Sequence, residues 1–541
     1  MLALLSVSVV PTAAALAAAL WFGLDANALT RVFETPGIGL SIASSLWTGC
    51  ISTAIALVLA HLAVALAASG GWGQRLNSLM LPLLAMPHLA IGIGLALVLA
   101  PSGVLMRLLS PWATGFDLPP DWLLVNDPAG VSMMIGLVLK ETCFLIMALI
   151  AARAQVPSER LQMQAATLGY GPLKSWFTTV IPALQRQIRL PCAAVLVFGI
   201  TNVEMAIPLG PQLPPTFCVL LWRWFTDPDP AIHVQAYAGT LVLFVISIAA
   251  IAVAFALGRL VSHFLTVSAQ SGVRRANEGR VRRAVGCLLA VGWSMGALCV
   301  VAIVLRAIAG TWRFPALLPA SDPFVALQNL ATLTGGVGVT TLVLASVTAL
   351  TGLALVLPAA ERCKQSPNWR RQIGAYLFLP LLVPQMTFLF GLQVLLVRLN
   401  IDGTFVAVLW SHLIFVLPYL WGILAPARAA IDPRYEQVAA TLGISRSATW
   451  VTVTAPLLTR AALLALALAF SVSVALYLPT LFAGAGRFAT AATEAAAAAS
   501  SGNLRLASSH AILLAMIPLA TFAVAFTTSA LLFRQRRGVP K

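Results

Sequence analysis

Charged side chains are scarce in this chain, since Asp, Glu, Lys and Arg make up 9% of its 541 residues. Soluble domains carry about a quarter, so an ordinary water-soluble protein is excluded. Lysine occurs only at positions 140, 174, 364 and 541. None of these lysines completes the Gly-x-x-x-x-Gly-Lys-Ser/Thr loop that cradles nucleotide phosphates. The chain therefore lacks that kind of ATP site.

Cysteine is also sparse and unpatterned, with seven residues, mostly in apolar segments, and no Cys-x-x-Cys pair. We interpret these residues as small core side chains rather than as a disulfide or metal framework. His88 and His412 have no Cys, Asp or second His at ligand spacing, so no metal site is predicted. No His/Asp or Ser/His/Asp cluster is visible, and the sequence gives no support for an enzyme.

Long apolar runs dominate what is present: 60% of the residues are hydrophobic and the mean hydropathy is +0.93. A helix needs about 20 apolar residues to cross a bilayer. Twelve such runs cover residues 3–24, 43–68, 79–100, 130–152, 190–209, 236–261, 284–308, 337–358, 374–397, 404–425, 461–483 and 509–533. They predict an all-α polytopic membrane protein. The first run lacks a basic flank and is expected to be a retained span rather than a signal peptide.

The positive charge is distributed unevenly between the loops. With the amino terminus inside, the inner loops hold 24 of the 33 Lys and Arg residues but five acids, against ten acids outside. Cationic loops stay in the cytoplasm, so both termini are predicted to be cytoplasmic. The net charge of +16 is therefore attributed to topology anchors near anionic headgroups, and the lipid bilayer rather than nucleic acid is the expected partner.

Two short polar segments repeat each other between the apolar runs. Residues 164–169 read Gln-Ala-Ala-Thr-Leu-Gly, and residues 438–443 read Val-Ala-Ala-Thr-Leu-Gly. A proline, Pro182 or Pro456, follows each glycine by thirteen positions. The repeat indicates an internal duplication. The predicted parts are a first repeat at 1–262, a basic cytoplasmic linker at 263–283 and a second repeat at 284–541.

Each repeat contains six predicted spans, so both copies have the same orientation in the membrane. They would be parallel repeats related by a pseudo-twofold axis along the membrane normal. Gly94 and Gly391 each follow a proline, Pro87 or Pro384, by seven positions. The prolines inside spans three and nine either free carbonyls that protein or water must receive, or make simple packing kinks.

The repeated segments lie in predicted inner loops at 154–188 and 426–459. Ser158 and Asp432 are expected to cap the first helix of each loop, and Gly169 and Gly443 to end it. A second short helix should follow each glycine turn. The alanines between cap and glycine are small enough to let the helix approach a partner closely.

These segments resemble the EAA loops of permease subunits in binding-protein-dependent ABC importers. That pattern is Glu-Ala-Ala, three residues, Gly, nine residues and Ile-x-Leu-Pro; here Met163 or Gln437 occupies the glutamate position. The whole chain resembles the fused permeases of the thiamine and ferric-iron importer group. The residues implied to dock an ATPase are Gln164, Ala165, Ala166, Gly169, Pro182, Val438, Ala439, Ala440, Gly443 and Pro456.

The resemblance implies a transport subunit in the bacterial inner membrane and not an enzyme. Two cytoplasmic ATPase subunits, which would carry the ATP and Mg²⁺, would grip the loops. An extracytoplasmic solute-binding protein would deliver a small polar or charged cargo. Closure of the ATPases would then rock the halves and expose the path alternately to each side. This chain would bind no cofactor of its own.

Three ionisable residues fall within predicted spans: Lys140, Glu141 and Glu204. Either a carboxylate lines the path and meets a cationic solute, or the charges neutralise one another between helices, for example Glu204 with Lys140. The second half offers Ser473 and Tyr477 in the corresponding region. These five residues form the candidate translocation path.

An alternative function is an ion-gradient-driven secondary transporter with twelve helices. Such a carrier would need a relay of ionisable groups through the bundle, and three intramembrane charges are few for that. Its usual basic, Asp-containing loop between spans two and three is also not visible in residues 70–75.

Overall fold

The computed structural model describes residues 2–69, 80, 82–153, 155–270, 272, 278–320 and 323–533. The loop at 70–75 and the arginines at 274, 275, 534, 536 and 537 lie outside these ranges. Within them the regular structure is helical, and the only β pairing is an isolated bridge between Gln212 and Pro215. The predicted all-α class is confirmed.

Eleven helices in the described ranges are long and apolar enough to cross a membrane, and one bent helix pair makes a twelfth candidate. The helices that contribute to these spans are α1 (Leu2–Gly23), α3 (Ile38–Ser69), α4 (His88–Leu99), α6 (Val131–Arg153), α9 (Ile181–Thr201), α12 (Pro230–Gln270), α13 (Gly279–Ile308), α14 (Pro323–Arg362), α15 (Pro367–Leu382) with α16 (Gln385–Arg398), α17 (Phe405–Ala429), α20 (Ala455–Ala475) and α23 (Leu504–Phe533). The prediction of a polytopic membrane protein is confirmed, and its first predicted run is helical.

Shorter helices connect the spans. They are α2 (Ala26–Glu34), α5 (Val104–Leu109), α7 (Ser158–Thr167), α8 (Pro172–Ser175), α10 (Ala206–Leu209), α11 (Phe217–Phe225), α18 (Arg434–Thr441), α19 (Arg446–Thr449), α21 (Leu478–Gly484) and α22 (Ala491–Ser500). Two π-helical turns, π1 (Trp176–Val180) and π2 (Trp450–Thr454), join α8 to α9 and α19 to α20.

Several predicted continuous spans are broken in the structure. Helices α15 and α16 meet at 100° beside Pro384, and α4 begins directly after Pro87. Proline has no N–H to donate and disfavours helix in the residue before it, which explains both breaks. The fifth span of each half is also interrupted, at residues 202–205 between α9 and α10 and at 476–477 between α20 and α21.

The first span of each half packs on the other half. Helix α1 lies against α16, where a Cβ added to Gly391 would come within 1.8 Å of the Ala15 carbonyl oxygen. Helix α13 lies against α4, where a Cβ on Gly94 would come within 2.6 Å of Cys299 Cβ. Glycine lets helix backbones approach this closely in a membrane. Gly94 and Gly391, which occupy equivalent positions in the two halves, therefore each pack against the first span of the opposite half.

The interface between the halves also holds an aromatic cluster. The Phe225 and Phe390 rings stack with centroids 3.9 Å apart, and Phe482 lies 4.8 Å from Phe225. Tyr237 contacts both Phe225 and Phe390 edge-on. Phe390 and Phe482 belong to the second half, so the two predicted repeats share one apolar core.

Candidate docking and translocation sites

The first repeated segment forms a helix, a glycine turn and a second helix. Helix α7 ends at Thr167, and Gly169 takes a φ of +83°, a left-handed conformation that glycine adopts without strain. The Tyr170 N–H donates to the Ala165 carbonyl at 3.0 Å and closes a Schellman turn. The predicted helix end at Gly169 is confirmed.

The second repeated segment has the same geometry. Helix α18 ends at Thr441, Gly443 takes a φ of +71°, and the Ile444 N–H donates to the Ala439 carbonyl at 3.0 Å. The equal turns follow from the shared Ala-Ala-Thr-Leu-Gly sequence. Sequence and local structure therefore repeat together.

Both segments present an exposed apolar face. Met163 and Leu168 are 61% and 57% exposed, and Val438 and Leu442 are 58% and 71% exposed. Ala166 and Ala440 are also exposed.

The inner alanine of each pair has a different environment. Ala165 and Ala439 are each 4% exposed and pack against the chain's own body. Of the four alanines predicted to approach a partner, two are therefore already covered by this chain.

The sequence predicted a separate second short helix in each segment. In the structure that helix is continuous with the span that follows it. Helix α8 continues through π1 into α9, and α19 continues through π2 into α20, so each forms one helix of 30 residues (Pro172–Thr201 and Arg446–Ala475). Pro182 and Pro456 lie in the first turn after each π segment. A proline ring displaces the carbonyl four residues earlier, and a π turn accommodates it without ending the helix.

The predicted caps of the first helices are partly wrong. Ser158 lies inside α7, where its hydroxyl accepts a hydrogen bond from Arg153 Nε at 3.1 Å, and Pro157 is the cap residue without a side-chain bond. The Pro157 carbonyl accepts the first helical hydrogen bond, from the Leu161 N–H at 3.1 Å, so the helix starts one position earlier than predicted. In the second copy Pro433, not Asp432, is the cap residue of α18, and Asp432 accepts from the Arg434 N–H at 2.9 Å from one position farther out.

The two copies cap their second helices differently. In the second copy the Ser445 hydroxyl accepts from the Ala448 N–H at 3.3 Å. Gly171 occupies the corresponding place in the first copy and has no side chain. Glu278, from the linker between the halves, accepts there from the N–H groups of Leu173 and Lys174 at 2.8 and 3.1 Å. The linker therefore completes the first segment.

A salt-bridge network ties α18 to the ends of two spans. Arg428, with 3% of its side chain exposed, pairs with Glu361 in α14 and with Glu436 in α18. Lys364 joins the same two carboxylates at 2.7 and 2.6 Å. Burial raises the pKa of Glu436, but the hydrogen bonds and charges of Lys364 and Arg428 outweigh it and hold that pKa below its ordinary value.

The first segment has a weaker connection. Arg153 reaches Glu159 at 3.6 Å, but the Glu159 side chain is 81% exposed. Exposed ion pairs contribute about 0–1 kcal/mol. Ion pairs therefore contribute more to fixing the second repeated segment than to fixing the first.

Lys140 occupies the break in span three. Its ammonium donates to the carbonyls of Leu83 and Leu84 at 3.0 Å each, and also to the Met86 carbonyl. These carbonyls lie just before Pro87, where the helix is interrupted, and the three bonds use all three ammonium hydrogens. The proline pattern predicted carbonyls without a helical partner, and Lys140 donates hydrogen bonds to them.

Glu141 pairs with a histidine rather than with its neighbour Lys140. His88 Nε2 lies 3.1 Å from Glu141 Oε1, and the His88 ring packs on Phe198 with centroids 4.5 Å apart. His88 is therefore not the lone imidazole that its sequence neighbours suggested.

Glu204 lies in the break of span five, where the Asn202 side-chain oxygen accepts from the Met205 N–H at 2.6 Å. The residue is 8% exposed. No ion pair joins Glu204 to Lys140 within 4 Å in the described structure, so the neutralising pair suggested as one alternative is not formed. The other alternative, a carboxylate facing a solute, stays a prediction.

The second-half residues of the candidate path lie at the other fifth-span break. Ser473 shares a hydrogen bond with His412 Nδ1 at 2.8 Å, and Thr480 bonds His412 Nε2 at 2.9 Å. This buried imidazole is satisfied by two hydroxyl groups, as the core interpretation expected. Tyr477 is in the break itself and is 3% exposed.

A comparison with known proteins decides the family. No family model matches the chain. The inner membrane ABC transporter permease protein YnjC of Escherichia coli (strain K12) is 30% identical over 498 residues, which cover 91% of this chain and 88% of that protein. This chain is an ABC transporter permease.

A solved structure also aligns with this permease but carries no argument. The Vibrio cholerae MATE transporter VcmN covers 96% of this chain and 100% of its own at 14% identity, with a TM-score of 0.13. The coarser sequence prediction, an ABC permease, is confirmed by the relative alone.

Sequence reasoning missed several groups that position the two repeated segments of the permease. Glu436, Arg428 and Lys364 were not singled out, although Glu436 precedes Gly443 by seven positions in the same short loop. Glu278 was not singled out either, and the available signal was Gly171, which stands where the second copy has a capping serine. Among the described residues, no three His, Cys, Asp or Glu side chains gather as metal ligands.

Proposed function

We propose that this permease is the membrane subunit of an importer whose separate ATPase subunits bind the α7 and α18 segments. The pair of exposed helix–glycine–helix segments carries the proposal. Each presents apolar side chains, represented by Leu168 and Leu442, to the solvent. Apolar side chains exposed on a polar loop commonly mark a protein interface.

We place the protein in a bacterial inner membrane with both termini in the cytoplasm. The excess of Lys and Arg in the loops that contain α7 and α18 supports this orientation. The printed name of the Escherichia coli relative supports the inner membrane. ATP and Mg²⁺ would be held by the ATPase partners, and a solute-binding protein would deliver cargo on the opposite side.

The helix geometry supports a direct mechanical route. Each docking segment runs as one 30-residue helix to the break in span five. At 1.5 Å per residue such a helix is about 45 Å long. A displacement at α8 or α19 would therefore be carried along continuous helix to residues 202–205 or 476–477, through π1 and Pro191 in the first half and through π2 in the second.

We further propose that the two halves are parallel repeats that rock against each other. The equal glycine turns, the equal π turns and the two broken fifth spans support this. So does the exchange of first spans at Gly94 and Gly391. Alternating exposure of the interface between the halves would carry a small polar or charged solute inward.

Co-purification tests the proposal. The permease is expressed with its cognate ATPase subunit and purified in mild detergent, and the retained ATPase is quantified. Gly169→Val and Gly443→Val force a β-branched residue into the left-handed region, which distorts the turn. We expect each variant to retain much less ATPase than the parent.

Gly502→Val is the matched control, because Gly502 also has a positive φ of +75° with open space around it but lies outside both docking segments. It should retain the ATPase at the level of the parent chain. Equal retention in all three variants would overturn the proposed docking site. Failure of the parent to bind any ATPase would overturn the proposed function.

A further inference from the structure

Glu204 differs from the other two intramembrane charges because it has no partner. It is 8% exposed and makes no hydrogen bond or ion pair with any residue in the described part of the chain. The Lys140 ammonium donates its hydrogens to three carbonyls, and Glu141 is hydrogen-bonded to His88. A buried carboxylate without a hydrogen-bonding or ion-pair partner is costly in a membrane interior. A group from outside the chain would remove that cost.

The position of Glu204 suits the binding of a group from outside the chain. It lies in the break between α9 and α10, at the far end of the helix that begins in the first docking segment. Val203 and Met205, on either side of Glu204, belong to the same buried cluster as Tyr477, which lies in the corresponding break of the second half. Glu204 therefore lies where the two halves meet and where a displacement of α8 would arrive.

The surrounding charges favour a cation over an anion. Lys140 supplies one positive charge near Glu204, and the Glu141 carboxylate lies on the next residue of the same helix. The position in the second half that aligns with Glu204 is Leu478, which is apolar. Two carboxylates and one ammonium therefore lie in this part of the first half, and the second half adds no acid at the matching position.

We propose that Glu204 is the cation-recognising residue of the translocation path and that the cargo carries a positive charge. This inference rests on the proposed transport function and names the charge class of its cargo. The carboxylate would attract a cationic solute into the interface and repel an oxyanion.

A cysteine reporter beside Glu204 tests the inference. Tyr477→Cys is introduced into the otherwise intact permease, and its reaction with two methanethiosulfonates is followed by mass spectrometry of the peptide containing position 477. One reagent carries a trimethylammonium group and the other a sulfonate. A fixed unit charge in the same low-dielectric region should favour the cationic reagent by roughly tenfold. Adding Glu204→Gln should abolish that preference.

Two matched variants keep the test decisive. Leu478→Cys is a second reporter in case the tyrosine replacement does not fold, and Glu159→Gln is a control that neutralises an exposed carboxylate far along the chain. The control should leave the preference unchanged. No reaction at either reporter, or an equal preference with and without Glu204, would overturn the inference.

The outcome is separable from the proposed function. The labelling reaction needs no ATPase, whereas the docking proposal is judged by ATPase retention. A permease that retains its ATPase but shows no charge preference at position 477 would refute the role of Glu204 alone. A charge preference without ATPase retention would refute the docking proposal alone.

Discussion

Replacement of Gly391 by alanine tests how the two halves are joined. A Cβ at this position would lie 1.8 Å from the Ala15 carbonyl oxygen, whereas ordinary contact begins near 3.4 Å. Helices α1 and α16 would have to separate by about 1.6 Å. The atoms in conflict belong to a backbone, so no side-chain rotation can relieve them. Overpacking typically costs about 1–3 kcal/mol, and we expect Gly391→Ala at the upper end.

Gly94→Ala is the matched perturbation at the other cross-half contact. Its Cβ would lie 2.6 Å from Cys299 Cβ, so the required displacement is smaller, about 0.8 Å. We expect a loss of about 1–2 kcal/mol. Gly286→Ala in α13 is the control, because nothing lies within 4 Å of its added Cβ. Its better helix propensity should raise stability by up to about 1 kcal/mol.

The assay is the melting temperature of the detergent-purified permease, read by size-exclusion retention after heating. The expected order, from least to most stable, is Gly391→Ala, Gly94→Ala, parent and Gly286→Ala. Adding Ala15→Gly should not rescue Gly391→Ala, because the clash involves the Ala15 carbonyl and not its methyl group. A Gly391→Ala protein as stable as the parent would refute the exchanged packing of the first spans.

Three further predictions concern polar contacts. Glu436→Gln should lower stability by about 1–3 kcal/mol, since it leaves buried Arg428 with a single carboxylate. Because the folded-state pKa of Glu436 is depressed, its contribution is present above its ordinary pKa of 4.5 and is lost as the pH falls through the lower folded value, which melting curves against pH should show. Glu278→Ala should cost about 0.5–2 kcal/mol and increase amide exchange at residues 172–175. Lys140→Met should destabilise by about 3 kcal/mol or more by orphaning three carbonyls, whereas Glu204→Gln, which removes an unpartnered buried charge, should not lower the melting temperature.

Each of these has a result that would count against it. A Glu436→Gln protein whose melting temperature falls with acidification as steeply as the parent's would remove Glu436 as a source of the pH dependence. Unchanged exchange at residues 172–175 would show that the linker does not hold α8. A Glu204→Gln loss as large as that of Lys140→Met would mean that Glu204 has a structural partner.

The docking segments could be predicted from the sequence because their geometry is local. A glycine after a short alanine-rich helix requires only the left-handed turn that Gly169 and Gly443 adopt. The π turns were not predicted, because a proline near a helix start is compatible with several local solutions. Whether a π turn forms depends on whether the following span continues along the same helix axis, and sequence spacing does not show this.

Contacts between residues far apart in the chain could not be predicted from the sequence, for a different reason. The spacing of Gly94 and Gly391 from the preceding prolines indicated that the two positions are equivalent. It did not indicate that their partners are Cys299 and Ala15 in the opposite halves. Likewise His88 and Glu141 are 53 positions apart and meet only when α4 packs on α6. Apolar spans look alike to one another in sequence, so periodicity identifies helices without identifying neighbours.

Accessibility of the two docking segments, measured with and without the ATPase, tests the central claim most directly. Leu168→Cys and Leu442→Cys place thiols at positions that are 57% and 71% exposed in the native chain. A membrane-impermeant maleimide should label both cysteines in inside-out vesicles but not in intact spheroplasts, and bound ATPase should protect both. Labelling from the outer side, or labelling that the ATPase does not affect at either position, would contradict the account.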